Sequence, residues 1–313
     1  MSDTSSPGPL RILLLGQGGQ VGWELQRALR PLGQLIGLDF NTLGPAEAPD
    51  LKADFSQPEQ VAAIVRAVRP DVIVNAAAHT AVDKAESEPD LARLINATTP
   101  GLIAQEAATL GALLVHYSTD YVFDGSGSAP RDETAPTAPL SVYGQTKLEA
   151  EQAIAASGCR HLIFRTSWVY AARGGNFAKT MLRLAAERDQ LKVIDDQFGA
   201  PTGADLLADV TAHAMRATLA RPQLAGLYHL IAGGETHWHA YARFVIEWAR
   251  ANGVPIQVAP DAILPVPTTA YPTPARRPLN SRLSTLKLQQ AFGLTLPHWQ
   301  VGVERMLTEI HGK

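Results

Sequence analysis

Arg11-Ile12-Leu13-Leu14-Leu15-Gly16-Gln17-Gly18-Gly19-Gln20-Val21-Gly22-Trp23-Glu24-Leu25 is the stretch that decides the fold. The apolar run at 12–15 has strand length and no polar alternation, so the sequence predicts a strand buried on both faces. Glycines at 16, 19 and 22 follow, with Gly18 an extra, and helical periodicity begins at Val21. Glycine permits a tight turn, a close approach of backbone to a pyrophosphate, and close packing of helix on strand. Strand, glycine turn and helix in that order predict a dinucleotide site built on Gly16, Gly19, Gln20, Val21 and Gly22.

Outward from this turn the same alternation repeats. Strand-like runs at 35–38, 72–76, 113–117 and 162–168 are separated by helical segments at 21–30, 58–69, 84–110 and 142–156. Pro58 suits a helix first turn, and Pro70 stops that helix before the next strand. The predicted fold is α/β, a Rossmann-like doubly wound parallel sheet with a smaller mixed C-terminal substrate-binding region. In that region helices are expected at 176–188, 204–219 and 238–252 and short strands at 191–194 and 227–230, before a proline-rich stretch at 255–278. The expected division is a flexible tail over 1–10, a dinucleotide-binding domain over 11–170, and a mainly substrate-binding part over 171–313, interleaved with the first.

Composition narrows the class further. The chain has 313 residues, 46% of them hydrophobic and 18% charged, which is ordinary for a globular protein. A net charge of −3 gives no electrostatic reason to expect nucleic acid or an anionic membrane as partner. Cys159 is the single cysteine, so no intrachain disulfide forms. With no signal-like N-terminus and no membrane-length apolar run, a cytoplasmic location is expected.

The chemistry concentrates in Tyr143-Gly144-Gln145-Thr146-Lys147. Residues at i and i+4 share a helix face, so phenol and ammonium meet in one site. A free phenol titrates near about 10, and a neighbouring Lys⁺ is expected to lower it towards the working range. Lys147 is also expected to hold the nicotinamide ribose. Thr119, at the end of the fourth strand, lies 24 residues before Tyr143 and places a hydroxyl in the crevice. Asp39 follows Gly16 by 23 positions, where a carboxylate accepts from an adenosine ribose and favours NADH over NADPH. Asp54 and Phe55 are expected beside the adenine, and Ala76–Ala78 let backbone approach the cofactor. His79 is expected in the pocket wall. Two motifs carry nothing: Gly125-Ser126-Gly127 lacks the setting of a nucleophile elbow. His237-Trp238-His239 places its imidazoles two apart, and is expected to be a helix cap with a packed aromatic.

At this level of detail the chain resembles a known family. GQGGQVGWEL at 16–25, VNAAAHTAVDKAESE at 74–88, HYSTDYVFDG at 116–125, YGQTK at 143–147 and FRTSWVY at 164–170 are similar to the dTDP-4-dehydrorhamnose reductase family of extended short-chain dehydrogenases. So are NFAKTM at 176–181, DQFGAPT at 196–202 and RPLNSR at 277–282. Ala150 departs from the glycine that the family often carries there. The resemblance implies an oxidoreductase that takes dTDP-4-dehydro-β-L-rhamnose, a 4-dehydro-6-deoxy-L-mannose nucleotide, to dTDP-β-L-rhamnose for surface glycans such as lipopolysaccharide O-antigen. The implied reductant is NADPH or NADH.

Residue by residue, it implies Thr119, Tyr143 and Lys147 as the catalytic set. It implies cofactor contacts at Gly19, Gln20, Val21, Asp39, Asp54, Phe55, Ala78, His79, Thr80 and Tyr117, and sugar contacts at Thr119, Asp120 and Trp168. Arg277 and Arg282 are expected to suit the diphosphate. A homodimer is implied too, with Mg²⁺ at its interface and Glu24, Asp205 and Glu309 as candidate ligands. Two alternatives stand beside this: a nucleotide-sugar epimerase or dehydratase, and a non-enzymatic regulatory subunit. Dehydratases of this fold carry Asp-Glu after the threonine, whereas Asp120-Tyr121 follows Thr119 here.

Overall fold

In a computed structural model, residues 8–41 and 51–312 are described; the expected tail lies outside them up to residue 7. The first half runs β1 (Arg11–Leu15), α1 (Gln20–Leu29), β2 (Gln34–Leu38), α2 (Pro58–Val68), β3 (Val72–Asn75), α3 (Val82–Ser87), α4 (Pro89–Arg93), α5 (Thr99–Leu110), β4 (Leu113–Thr119), α6 (Val142–Ala156) and β5 (Arg160–Thr166). The second half adds β6 (Val169–Tyr170), α7 (Phe177–Glu187), β7 (Leu191–Ile194), β8 (Phe198–Gly199), β9 (Thr202–Gly203), α8 (Ala204–Ala220) and β10 (Gly226–His229). It closes with β11 (Thr236–His237), α9 (Trp238–Ala251), β12 (Ile263–Val266), α10 (Leu286–Phe292) and α11 (Trp299–His311).

Six strands form one sheet in the order β10-β5-β4-β3-β1-β2, and every neighbouring pair is parallel. From β1 the chain steps to β2 on one side, then returns to β3 on the other. The crevice between β1 and β3 is therefore the topological switch point where such sheets bind ligands. The missing polar alternation has its reason here. Ile12, Leu14, Val72, Val74 and Val115 pack against Leu25, Leu29, Leu207 and Met215 of α1 and α8. On the other face Leu13, Leu15, Ile73 and Leu114 pack against Val61, Val65, Ile103 and Ile154 of α2, α5 and α6. Each such side chain contributes about 1.5–3 kcal/mol by leaving water.

Three expectations change. The helix expected over 84–110 is broken into α3, α4, a π-helical turn at Leu94–Thr98, and α5. Pro89 opens α4 because it has no N–H to give to the preceding turn. The π turn aims Asn96 inward, where it is fully buried. The strand expected at 227–230 is β10, which extends the main sheet beside β5. The fifth strand ends at Thr166, two residues short of Trp168, because Trp168 adopts a left-handed backbone with φ of 49°. A separate core joins α7, α9 and α11 through Phe177, Tyr241, Val245, Trp299 and Val303. Among the described residues no helix is long and apolar enough to cross a membrane.

Under the sheet's carboxyl end lies a buried ion pair. Arg165 donates to Glu151 at 2.6 and 2.9 Å, and Ser118 Oγ donates to the same carboxylate at 2.5 Å. Both charged side chains are about 5% exposed. Removing one partner leaves the other charge buried, so Glu151→Ala is expected to cost about 3–5 kcal/mol of stability in denaturant unfolding. An unchanged midpoint would contradict this role.

Candidate active site

A cavity of about 880 Å³ opens at the carboxyl ends of β1, β3, β4 and β5. On one side lies the glycine turn. Gly16 has φ of +83°, and a Cβ there would stand 2.6 Å from Ala77 N. A Cβ on Gly22 would stand 1.9 Å from Gly16 O, so Gly22 lies behind the turn and lets α1 press against it. Gly16, Gly19, Gln20 and Val21 line the cavity. The first turn of α1 carries no acidic residue, so its amide dipoles face the cavity uncompensated. Asp39 is clamped by backbone donors, Gly18 N–H to Oδ2 at 2.7 Å and Phe40 N–H to Oδ1 at 2.6 Å. Asp54, Phe55, Ala78, Thr80 and Tyr117 line the same cavity. His79 does not. Its backbone N–H donates to Asn96 Oδ1 at 2.8 Å, and its ring lies 3.7 Å from Glu88.

On the other side stand the hydroxyls. Ser141 caps α6 by accepting from Gly144 N–H at 3.2 Å, which fixes Tyr143 in the first turn. The Tyr143 phenol and the Thr119 hydroxyl line the same crevice; Thr119 Oγ1 donates to Asp120 Oδ1 at 3.1 Å and accepts from Tyr121 N–H at 3.2 Å. Burial, then the Asp120 charge, push the phenol up to about 12, while Thr119 lowers it. The expected lowering by Lys147 does not arise in the free chain: burial and Asp120 prevail, and Tyr143 holds its proton at neutral pH. Burial pushes Lys147 down to about 8 against the pull of Glu151. Its Nζ lies 3.3 Å from His116 Nε2. Asp120 is pushed up to about 6 by burial, opposed by the neighbouring Ser281 and Thr119 hydroxyls, of which Thr119 donates to Oδ1.

Trp168 stands in the wall where the resemblance placed a sugar contact, whereas Trp238 and Tyr121 beside it were missed in the sequence. Trp168 lines the cavity and stacks on Trp238 at 3.7 Å. Trp238 also lines it and donates its indole N–H to Gln197 at 3.0 Å. Tyr121 meets Tyr143 edge-on at 5.5 Å. The signal for Tyr121 was its place beside Thr119; for Trp238 there was none, because β11 and α9 are brought to the crevice only by tertiary packing. Neither arginine lines the cavity. Arg277 pairs with Asp83 at 2.7 Å, near Tyr121 of the cavity wall, which leaves it beside the mouth. Arg282 is tied to Glu235 at 2.7 Å and lies over the Phe198 ring, so its charge is already answered. His237 does cap α9, accepting from Ala240 N–H at 3.4 Å. The rings of His237 and His239 lie parallel at 6.0 Å, because the cap residue is outside the helix. Ser126 is bound to Asp124 and Arg131 in a turn, so no elbow forms.

Glu24, Asp205 and Glu309 share a different cavity of about 850 Å³ against α1, α8 and α11. Glu24 is 3.4 Å from Arg27, and Asp205 is 3.2 Å from Arg305. Among the described residues no three His, Cys, Asp or Glu side chains are grouped to hold a metal. The expected Mg²⁺ ligand set therefore does not fit within one chain; arginines neutralise two of its three carboxylates.

The model of the RmlD substrate binding domain family matches residues 10–311. The chain belongs to the dTDP-4-dehydrorhamnose reductase family. The dTDP-4-dehydrorhamnose reductase of Escherichia coli (strain K12) is 62% identical over 301 residues, covering 96% of this chain and 98% of that protein. Among solved structures, a dTDP-4-dehydrorhamnose reductase from Clostridium acetobutylicum is 34% identical with a TM-score of 0.84, covering 96% of this chain and 100% of its own. The reductase from Bacillus anthracis, solved in complex with NADP, is 34% identical with a TM-score of 0.83, covering 96% and 99%.

Because Gly22 packs on the turn itself, Gly22→Ala is expected to cost about 1–3 kcal/mol through overpacking and to abolish dinucleotide binding. Denaturant unfolding and a fluorescence titration with dinucleotide check both. Wild-type binding in the variant would contradict the assigned role of the turn.

Proposed function

We infer that this chain reduces dTDP-4-dehydro-β-L-rhamnose to dTDP-β-L-rhamnose, with a nicotinamide dinucleotide as reductant and Tyr143 as proton donor. The observation that carries this is a protonated phenol that shares the crevice beside the glycine turn with the Thr119 hydroxyl. The membership and the identity over nearly the full chain set aside the epimerase, dehydratase and regulatory-subunit alternatives.

The residues present fit the dinucleotide. The turn offers backbone N–H groups to a pyrophosphate, Asp39 faces the ribose end, and small side chains at Ala76–Ala78 leave room for the rings. When bound, the dinucleotide supplies hydride to the carbonyl carbon. As charge builds on the ketone oxygen, Thr119 Oγ1 and Tyr143 Oη stabilise it, and Tyr143 delivers the proton. An acid near about 12 is still far stronger than a secondary alcohol, so transfer runs downhill at the end of the step. Lys147 places a cation one helical turn from the phenolate that remains, and favours that charge. No step needs a metal at the carbonyl.

Either dinucleotide is accommodated in this reading, with NADH favoured because the clamped Asp39 carboxylate repels a 2′-phosphate. Trp168, backed by Trp238, is the wall we assign to the sugar nucleotide, with Asp120 as acceptor for a sugar hydroxyl. Arg277 at the mouth is the nearer candidate for the diphosphate; Arg282 faces elsewhere. We also propose a cytoplasmic homodimer, on the family resemblance and on Trp23, 47% exposed at the edge of the second cavity.

The test follows dinucleotide oxidation when the 4-keto-sugar nucleotide is generated from dTDP-glucose by the upstream dehydratase and epimerase. Turnover is expected only when this protein is added. Tyr143→Phe should cut kcat by about 10²–10⁴-fold while dinucleotide binding persists; near wild-type turnover would remove Tyr143 as donor. Trp238→Ala should raise KM for the sugar nucleotide more than it lowers kcat, and an unchanged KM would count against the stacked wall.

A further inference from the structure

Behind the catalytic pair a line of buried polar groups runs inward from Lys147. Its Nζ lies 3.3 Å from His116 Nε2, His116 Nδ1 lies 3.1 Å from Asn75 Nδ2, and Asn75 Oδ1 accepts from Ala77 N–H at 3.1 Å. His116 and Asn75 are at most 1% exposed and Lys147 is 3% exposed, so no water competes for these atoms.

The direction of this line is set at its Ala77 end. A backbone N–H only donates, so the Asn75 carboxamide turns its oxygen to Ala77 and its nitrogen to His116. That nitrogen also only donates, so His116 Nδ1 must accept. Burial, and then the charge of Lys147, keep the imidazole neutral. The one ring proton of a neutral imidazole with an accepting Nδ1 sits on Nε2. It therefore points at Lys147. Towards a free amine this is a good hydrogen bond. Towards an ammonium, which has donors only, it is a repulsion.

We propose that His116, locked in its Nε2–H tautomer by Asn75, is a positioning residue that denies the Lys147 ammonium an inward acceptor and so turns its donors out to the crevice. This rests on the role of Lys147 in the proposed reduction. The other groups around Lys147 do not supply that bias. Glu151, one turn along α6, favours the ammonium, and its charge is taken up by Arg165 from β5. Tyr143, one turn back, is protonated. Asp120, just after β4, is held at its Oδ1 by the Thr119 hydroxyl. His116 is the partner recorded at the Lys147 nitrogen itself, and it works against the proton. The lysine is left an ammonium that releases its proton readily, suited to resupplying Tyr143 after each turnover.

The first measurement needs no substrate. In the free, ¹⁵N-labelled protein, long-range ¹H–¹⁵N correlation spectra read the tautomer of each imidazole, with the His116 ring assigned through its own backbone resonances in the unsubstituted protein. A neutral ring protonated at Nε2 across the neutral range is expected. An Nδ1–H ring or an imidazolium would overturn the proposal, even with full reductase activity. The second measurement is the pH profile of kcat. The ammonium is the active form, so activity falls as pH rises through the Lys147 value. His116→Phe removes the opposing N–H, and His116→Gln offers a carbonyl acceptor instead. The alkaline limb is expected to move up in the order wild type, Phe, Gln, by about one pH unit at most. A limb that stays or moves down would overturn the proposal. If neither variant folds, the tautomer in the unsubstituted protein decides alone, whereas absent wild-type turnover would strike the reductase reading and leave the tautomer result standing.

Discussion

β4 is buried along all seven of its residues, yet it reads Leu-Leu-Val-His-Tyr-Ser-Thr. Burying four polar side chains at the end of a central strand is costly unless each finds a partner. The partners determine the site. Ser118 is answered by Glu151, His116 by Asn75 of β3 and Thr119 by Asp120, while Tyr143, Lys147 and Glu151 come down from α6 at four-residue spacing over the same strand end. Tyr117 is answered from the opposite face by Thr211 of α8 at 2.7 Å. The need to satisfy one strand thus sets the rotation of α6 over the sheet, and with it the position of the phenol in the crevice.

The same constraint explains the electrostatics. A site dry enough to demand these pairings also removes the solvent that would support charge. Tyr143 rises, Lys147 falls and Asp120 rises, each first by burial. For a catalyst that gives a proton to an oxyanion, a phenol kept protonated is an advantage. The cation beside it acts mainly on the product of the transfer.

Much of this was legible in the sequence. The glycine turn, the unalternated strands and the Tyr143–Lys147 spacing depend on local geometry, so they translate directly into structure. The strand-ending Thr119 fell where a 24-residue crossover returns the chain to the same end of the sheet. What was not legible depended on neighbours far along the chain. The break of 84–110 around Pro89 and the π turn follows from Asn96 reaching His79 and Thr146 across the fold. Trp238 reached the cavity from beyond residue 230, and Arg282, suited by type to a diphosphate, was claimed by Glu235 and Phe198. The Mg²⁺ trio gathered at one cavity, but two of its three carboxylates are met by arginine.

The most direct measurement of the account is a crystal structure of this protein with oxidised dinucleotide and the sugar-nucleotide product. The 4-oxygen is predicted to lie within about 2.6–3.2 Å of both Thr119 Oγ1 and Tyr143 Oη, with its carbon facing the nicotinamide. A 4-oxygen directed away from both hydroxyls, with the sugar seated elsewhere along the cavity, would contradict it.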